Sequence, residues 1–102
     1  MNASLLENIT RVIKHYGVPN QQKKLAEEVY ELQEAITTYY NARQSKHTCN
    51  FVKLKENVAE EIADVLFLLE QLRIECGVPT TYVKDILNYK VSRQIERIKN
   101  EQ

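Results

Sequence analysis

Helix-breaking residues are nearly absent from this chain of 102 residues, and where they occur they occur together. Both glycines and both prolines fall in two copies of one tripeptide, Gly17-Val18-Pro19 and Gly77-Val78-Pro79. A glycine just past a helix end, with proline two residues on, stops one helix and starts the next. Elsewhere no residue interrupts a helix, and no stretch alternates with the period of a strand. The punctuation predicts a first helix over about 5–16, entered through an S-x-x-E capping box at Ser4 and Glu7. A second follows Asn20, a good N-cap, and runs to about 44. SKHTCN at 45–50 is the one polar, unpatterned stretch and reads as a loop. A third helix covers about 53–76, and a fourth about 81–100 behind Thr80 or Thr81. Residues 1–102 read as a single all-α domain, a four-helix bundle of long antiparallel helices.

Charge and cysteine content exclude several classes of function. Lys plus Arg equals Asp plus Glu at 14 each, so no global field draws the chain to a nucleic acid polymer or an anionic membrane. Cys49 and Cys76 are too few and too far apart for a disulfide framework or a zinc site. His15 and His47 are not at ligand spacing and read as ordinary helix and loop residues. No charged-then-apolar leader and no membrane-length apolar run occurs, which points to a cytoplasmic protein.

The acidic residues carry the functional signal. Glu27, Glu28, Glu31 and Glu34 crowd one short stretch of the second helix, where like charges three or four apart repel. At 100° per residue Leu25, Val29, Leu32, Ile36 and Tyr39 form its apolar stripe. Lys24, Glu28, Glu31 and Ala35 flank that stripe, with Glu27 and Glu34 further out on the solvated side. In the third helix Glu60, Glu61 and Asp64 precede Val65 to Leu69, an apolar run that covers every side of a helix and asks to be enclosed. Glu61 and Asp64 share a stripe with Leu68 and Leu72, so their carboxylates point into the core or a cleft. Buried carboxylates acquire a partner or a proton. The pairs Glu28-x-x-Glu31 and Glu61-x-x-Asp64, facing each other across antiparallel helices, make an all-oxygen set suited to Mg²⁺. A di-iron centre of the bundle type needs Glu-x-x-His pairs, which are missing.

With flanks KLAEEVYELQEA and EEIADVLFLL, this EE-x-x-E then E-x-x-D pattern resembles the MazG-like all-α nucleoside triphosphate pyrophosphohydrolases, over about residues 20–95. Twenty-nine residues separate Glu31 from Glu61, at or just beyond the family's usual spacer. The resemblance implies Mg²⁺-dependent cleavage between the α and β phosphates of a nucleoside triphosphate, giving a monophosphate and pyrophosphate, with Mn²⁺ as the substitute cation. It implies Glu28, Glu31, Glu61 and Asp64 as metal ligands and Glu27 as an accessory acid. Glu27 and Glu31 both stand as the group that orients the attacking water.

In the fourth helix Ile86, Lys90, Arg93 and Arg97 share one stripe, and Leu87, Val91, Ile95 and Ile98 another. The apolar stripe is expected to pack the helix and leave the basic ridge toward the acids. Lys90-x-x-Arg93 matches a family pair that contacts substrate phosphates, and Lys24 is a weaker candidate for the same role. A third helix apolar on all sides, in so short a chain, predicts completion by a homodimer or homotetramer, as the family also implies. Two other functions fit the same residues less well. One is phosphoribosyl-ATP pyrophosphohydrolysis in histidine synthesis; the other is a non-enzymatic helical module with a solvated acidic face.

Overall fold

The computed structural model describes residues 3–44 and 50–101, and all but a few of these are helical. Four helices follow in order: α1 Ala3–Tyr16, α2 Val18–Gln44, α3 Phe51–Cys76 and α4 Thr80–Glu101. The domain is all-α, as the sequence predicts. The expected loop at 45–50 lies, apart from Asn50, outside the described residues. No helix among those described is long and apolar enough to cross a membrane.

Both glycine stops work as read. Gly17 and Gly77 have φ of 85° and 72°, the left-handed region that glycine enters without strain. The Gly77 amide donates to the carbonyls of Arg73 and Ile74, and the Val78 amide to that of Arg73, which closes α3 with a Schellman motif. Pro79 then offers its carbonyl to the Tyr82 and Val83 amides and opens α4. Two predicted caps differ. Ser4 already lies inside α1, so no box forms there. The Gln21 amide donates to the Gly17 carbonyl, so α2 begins as soon as the glycine has turned. Asn20 is left in its first turn, where its side chain donates to the Tyr16 carbonyl at 2.8 Å. Asn50 caps α3, accepting from the Lys53 amide at 3.1 Å.

The core is the antiparallel pair α2–α3 with α1 laid across it. The inward face of α2 reads Gln21, Leu25, Glu28, Leu32, Ala35 and Tyr39; that of α3 reads Leu54, Val58, Glu61, Val65, Leu68 and Leu72. Both advance by alternating steps of three and four, the seam of a coiled coil. Facing partners fix the register: Gln21 bonds to Gln71 at one end, and Tyr39 meets Phe51 edge-on at the other. Glu28 and Glu61 therefore occupy seam positions, not the flank. Val29 and Ile36, expected inside, are exposed instead, because the seam follows a seven-residue repeat and passes through Ala35. Ile9 and Ile13 of α1 and Leu68 of α3 are the buried apolar side chains among the described residues. Each contributes about 1.5–3 kcal/mol.

α4 packs against none of the other three helices. Its apolar stripe, from Leu87 through Val91 and Ile95 to Ile98, is exposed. So are Leu66, Phe67 and Leu69 of the α3 run that was expected to be enclosed. The Cα radius of gyration is 17.5 Å, against about 13 Å for a compact chain of this length. The junction is still firmly tied. Arg73 grips Glu70 through two hydrogen bonds, of 2.7 and 3.1 Å, and donates to the Val78 carbonyl at 2.7 Å.

Candidate metal centre

Seam geometry brings three carboxylates to one point. Glu28 and Glu31 from α2 and Glu61 from α3 each offer an oxygen, and these oxygens lie within 4.8 Å of one another. Oε2 of Glu28 and Oε2 of Glu61 are buried and have no hydrogen-bond partner. Among the described residues the cation paired with the cluster is Lys24, whose Nζ, on an exposed side chain, stands 3.9 Å from Glu28, a loose pair.

This arrangement resists ionisation. Burial, and then repulsion by Glu31, push the Glu28 carboxyl above its ordinary value, with Asp64 and Glu61 adding to the effect. Glu61 is raised by burial first, then by Glu31 and Asp64. Its contact with the Glu28 carboxyl is the one opposing influence. Orphaned oxygens, mutual repulsion and an all-oxygen donor set fit a hard divalent cation, which would satisfy every one of these groups.

Asp64 stands beside the trio, not within it. It is exposed and lines a cavity of about 220 Å³ shared with Lys24 and Glu28. A second cavity, of about 430 Å³, is lined by Glu31, Glu34, Thr38, Asn57 and Glu61. Lys24, Glu31 and Thr38 are spaced by sevens, as are Asn57, Asp64 and Gln71. Residues seven apart share a side of a helix, so the two cavities lie end to end along one groove, with the acids between them.

Several predicted residues take other places. Glu34 lines the larger cavity, because the groove runs along that flank of α2. Glu27 is exposed in a neighbouring cleft with Tyr16, Asn20 and Lys24. Lys90 and Arg93 do not meet the acids within one chain, since α4 stands off the bundle. The groove residues Gln21, Thr38, Asn57, Phe67 and Gln71 carry no charge and form no motif. A seven-residue spacing from the acids marks Gln21, Thr38, Asn57 and Gln71, and nothing marks Phe67.

A family model, the MazG nucleotide pyrophosphohydrolase domain, matches residues 19–75, more than half of the chain. The chain belongs to that family. The matched segment holds all of α2 but its first residue and all of α3 but its last, hence Glu28, Glu31, Glu61 and Asp64. Lys90 and Arg93 lie beyond it. No curated protein and no solved structure gives a significant match. MazG membership supports a hydrolase of the pyrophosphohydrolase type.

Proposed function

We propose that the protein is a Mg²⁺-dependent nucleoside triphosphate pyrophosphohydrolase that cleaves between the α and β phosphates. The observation that carries this is the trio of mutually repelling carboxylates, two with buried unpartnered oxygens, inside the MazG segment. Glu28, Glu31 and Glu61 would hold the metal, with Asp64 completing the set from the groove side. Mg²⁺, or Mn²⁺ in its place, supplies charge neutralisation at the phosphates and a water of lowered pKa.

The chain's own groups do the rest. Glu31 is the exposed member of the trio, and we assign to it the proton of the attacking water, with Glu27 as the second candidate. Lys24, beside Glu28, faces the phosphate chain at the groove rim. Lys90 and Arg93 reach leaving-group oxygens only from a second copy, whose bundle α4 would cover with its exposed stripe of Leu87, Val91, Ile95 and Ile98. The working form on this reading is a homodimer or a pair of homodimers in the cytoplasm, with no nucleic acid polymer as substrate.

The test is pyrophosphate release from a panel of triphosphates, with Mg²⁺ and with EDTA. Turnover that requires the cation and falls by a factor of about 10² or more in Glu61→Gln supports the assignment. Full activity in Glu61→Gln refutes it.

A further inference from the structure

The α2–α3 pair has a second exposed face, and the chemistry proposed above uses none of it. Lys24, Glu31, Thr38, Asn57 and Asp64 of the acid groove each stand one residue before a seam position. Ile36, Tyr40 and Lys55 each stand one residue after such a position. At about 100° per residue the two sets lie on opposite sides of an antiparallel helix pair.

At the end of this face nearest the α2–α3 connection, three rings and two cations gather. Tyr39 meets Tyr40 and Phe51 edge-on, with centroids 5.1 and 6.4 Å away. The Arg43 guanidinium stands 6.0 Å from the centre of the Tyr39 ring and 5.9 Å from that of Tyr40. Tyr40 is 53% exposed and Phe51 38%. Two cavities border these rings. One, of about 380 Å³, is walled by Ile36, Tyr39, Tyr40 and Val58, with Lys55 as its charged group. The other, of about 430 Å³, is lined by Tyr39, Arg43, Phe51 and Lys55. Tyr39 and Lys55 belong to both, so an apolar hollow opens beside a cationic one. Each is within the range of about 300–1,000 Å³ typical of small-molecule pockets.

The two cations are uncompensated. Among the described residues no carboxylate forms an ion pair with Arg43 or Lys55, and α3 has no acid in its first turn. Bare cations beside apolar walls suit an anion with an apolar body. The rings and the guanidinium plane favour a flat body, since both stack on aromatic groups. The α4 helix of a second copy has the wrong sign for this place, because it carries five cations against three acids.

We propose that this end of the pair binds a small aromatic anion. Its ring is seated against Tyr39, Tyr40 and Phe51, and its carboxylate or phosphate is held by Arg43 and Lys55. The site stands apart from the metal centre and does not depend on the hydrolase reading.

The test is calorimetry on the full chain in EDTA, where the uncompensated acids of the metal centre repel anions. The carboxylate 2-naphthoate and the phosphate AMP are compared with octanoate and inorganic phosphate. At least one of the two ring-bearing anions should bind about tenfold or more tightly than both controls. AMP ahead of 2-naphthoate supports the site as one for nucleotides, and the reverse supports it as one for aromatic carboxylates. Arg43→Gln/Lys55→Gln should weaken binding about tenfold or more with the melting temperature unchanged, because both side chains are exposed. Octanoate bound as tightly as the rings, no ring bound at all, or wild-type affinity in the double variant overturns the proposal. Binding of a single-stranded oligonucleotide with no monomer bound overturns it as well. No arm requires Mg²⁺ or turnover, so failure here leaves the hydrolase reading intact.

Discussion

Removing the charge of Glu28 should make the metal-free protein more stable and the metal-loaded protein less so. Two unit charges 4.8 Å apart, the outer limit for the oxygens of the trio, repel by about 0.9 kcal/mol in a water-like medium and about 3.5 kcal/mol at an effective dielectric of about 20. The Glu28 side chain is 12% exposed, but its neighbour Glu31 is open to solvent, which favours the screened value. Two such repulsions relieved give about 2 kcal/mol, less about 0.5 kcal/mol for the lost Lys24 pair. Glu28→Gln should therefore gain about 1.5 kcal/mol in EDTA, a rise in Tm of about 6–12 °C for a domain of this size. Adding Mg²⁺ at a hundred times its Kd should lift wild type by about 2.7 kcal/mol and the variant by much less. The assay is thermal melting at pH 8 with EDTA or Mg²⁺. A variant that melts below wild type in EDTA, or that gains as much from Mg²⁺, would show that the three acids are not a strained cation site.

Other outcomes follow from particular contacts. Asp64→Asn, at the edge of the trio, should lower turnover by about tenfold or more while weakening Mg²⁺ stabilisation less than Glu28→Gln does, both measured on the same samples. The double variant Leu87→Glu with Ile95→Glu should fall to a mass near 12.0 kDa by light scattering, whereas wild type should give a multiple of it. If α4 serves a partner's site, mixing refolded Glu61→Gln with Lys90→Ala/Arg93→Ala should restore about a quarter of wild-type activity, because half of the dimers then hold one intact site. Gly77→Ala should cost about 1–2 kcal/mol in a denaturant titration, through the left-handed backbone alone, since an added Cβ there meets nothing. The hydrogen bonds from Arg73 hold the Glu70 carboxyl below its ordinary value, so its contribution is present above pH 4.5 and lost as pH falls through the folded-state value. The stability gap between wild type and Glu70→Gln should accordingly shrink in acid.

Helix number and order were legible because two Gly-Val-Pro signals and one polar, unpatterned stretch at 45–50 divide the chain into four segments. Their detail was not, because a cap depends on which carbonyl is free, and Gly17 supplied one before Asn20 could. The acids of the centre were legible as a motif; their depth was not. Stripes drawn at 100° per residue put Val29 and Ile36 inside and Glu28 on the flank, but a packed pair follows a 3.5-residue seam that drifts from that angle along a helix of 27 residues. The groove amides Gln21 and Gln71 escaped notice because an uncharged polar residue looks like surface until its partner, fifty positions away, is known.

Glu28 and Glu61 stand on the seam itself, at a cost in packing for which the proposed cation site would account. Every other seam position between Leu25 and Tyr39, and between Leu54 and Leu72, is apolar. The two acids thus take positions where aliphatic side chains would each contribute about 1.5–3 kcal/mol. A carboxylate on an outer face would be cheaper, but it would be free to turn, and water would screen it from any ligand. On the seam, the packing of Leu25, Leu32, Val58 and Val65 holds the carboxylates in place from both sides. Glu31 and Asp64, one step off the seam, can then approach the same point from solvent. Local rules of stability are broken at the two positions where a preorganised charge cluster needs rigid support, and the flanking leucines and valines offset part of the loss.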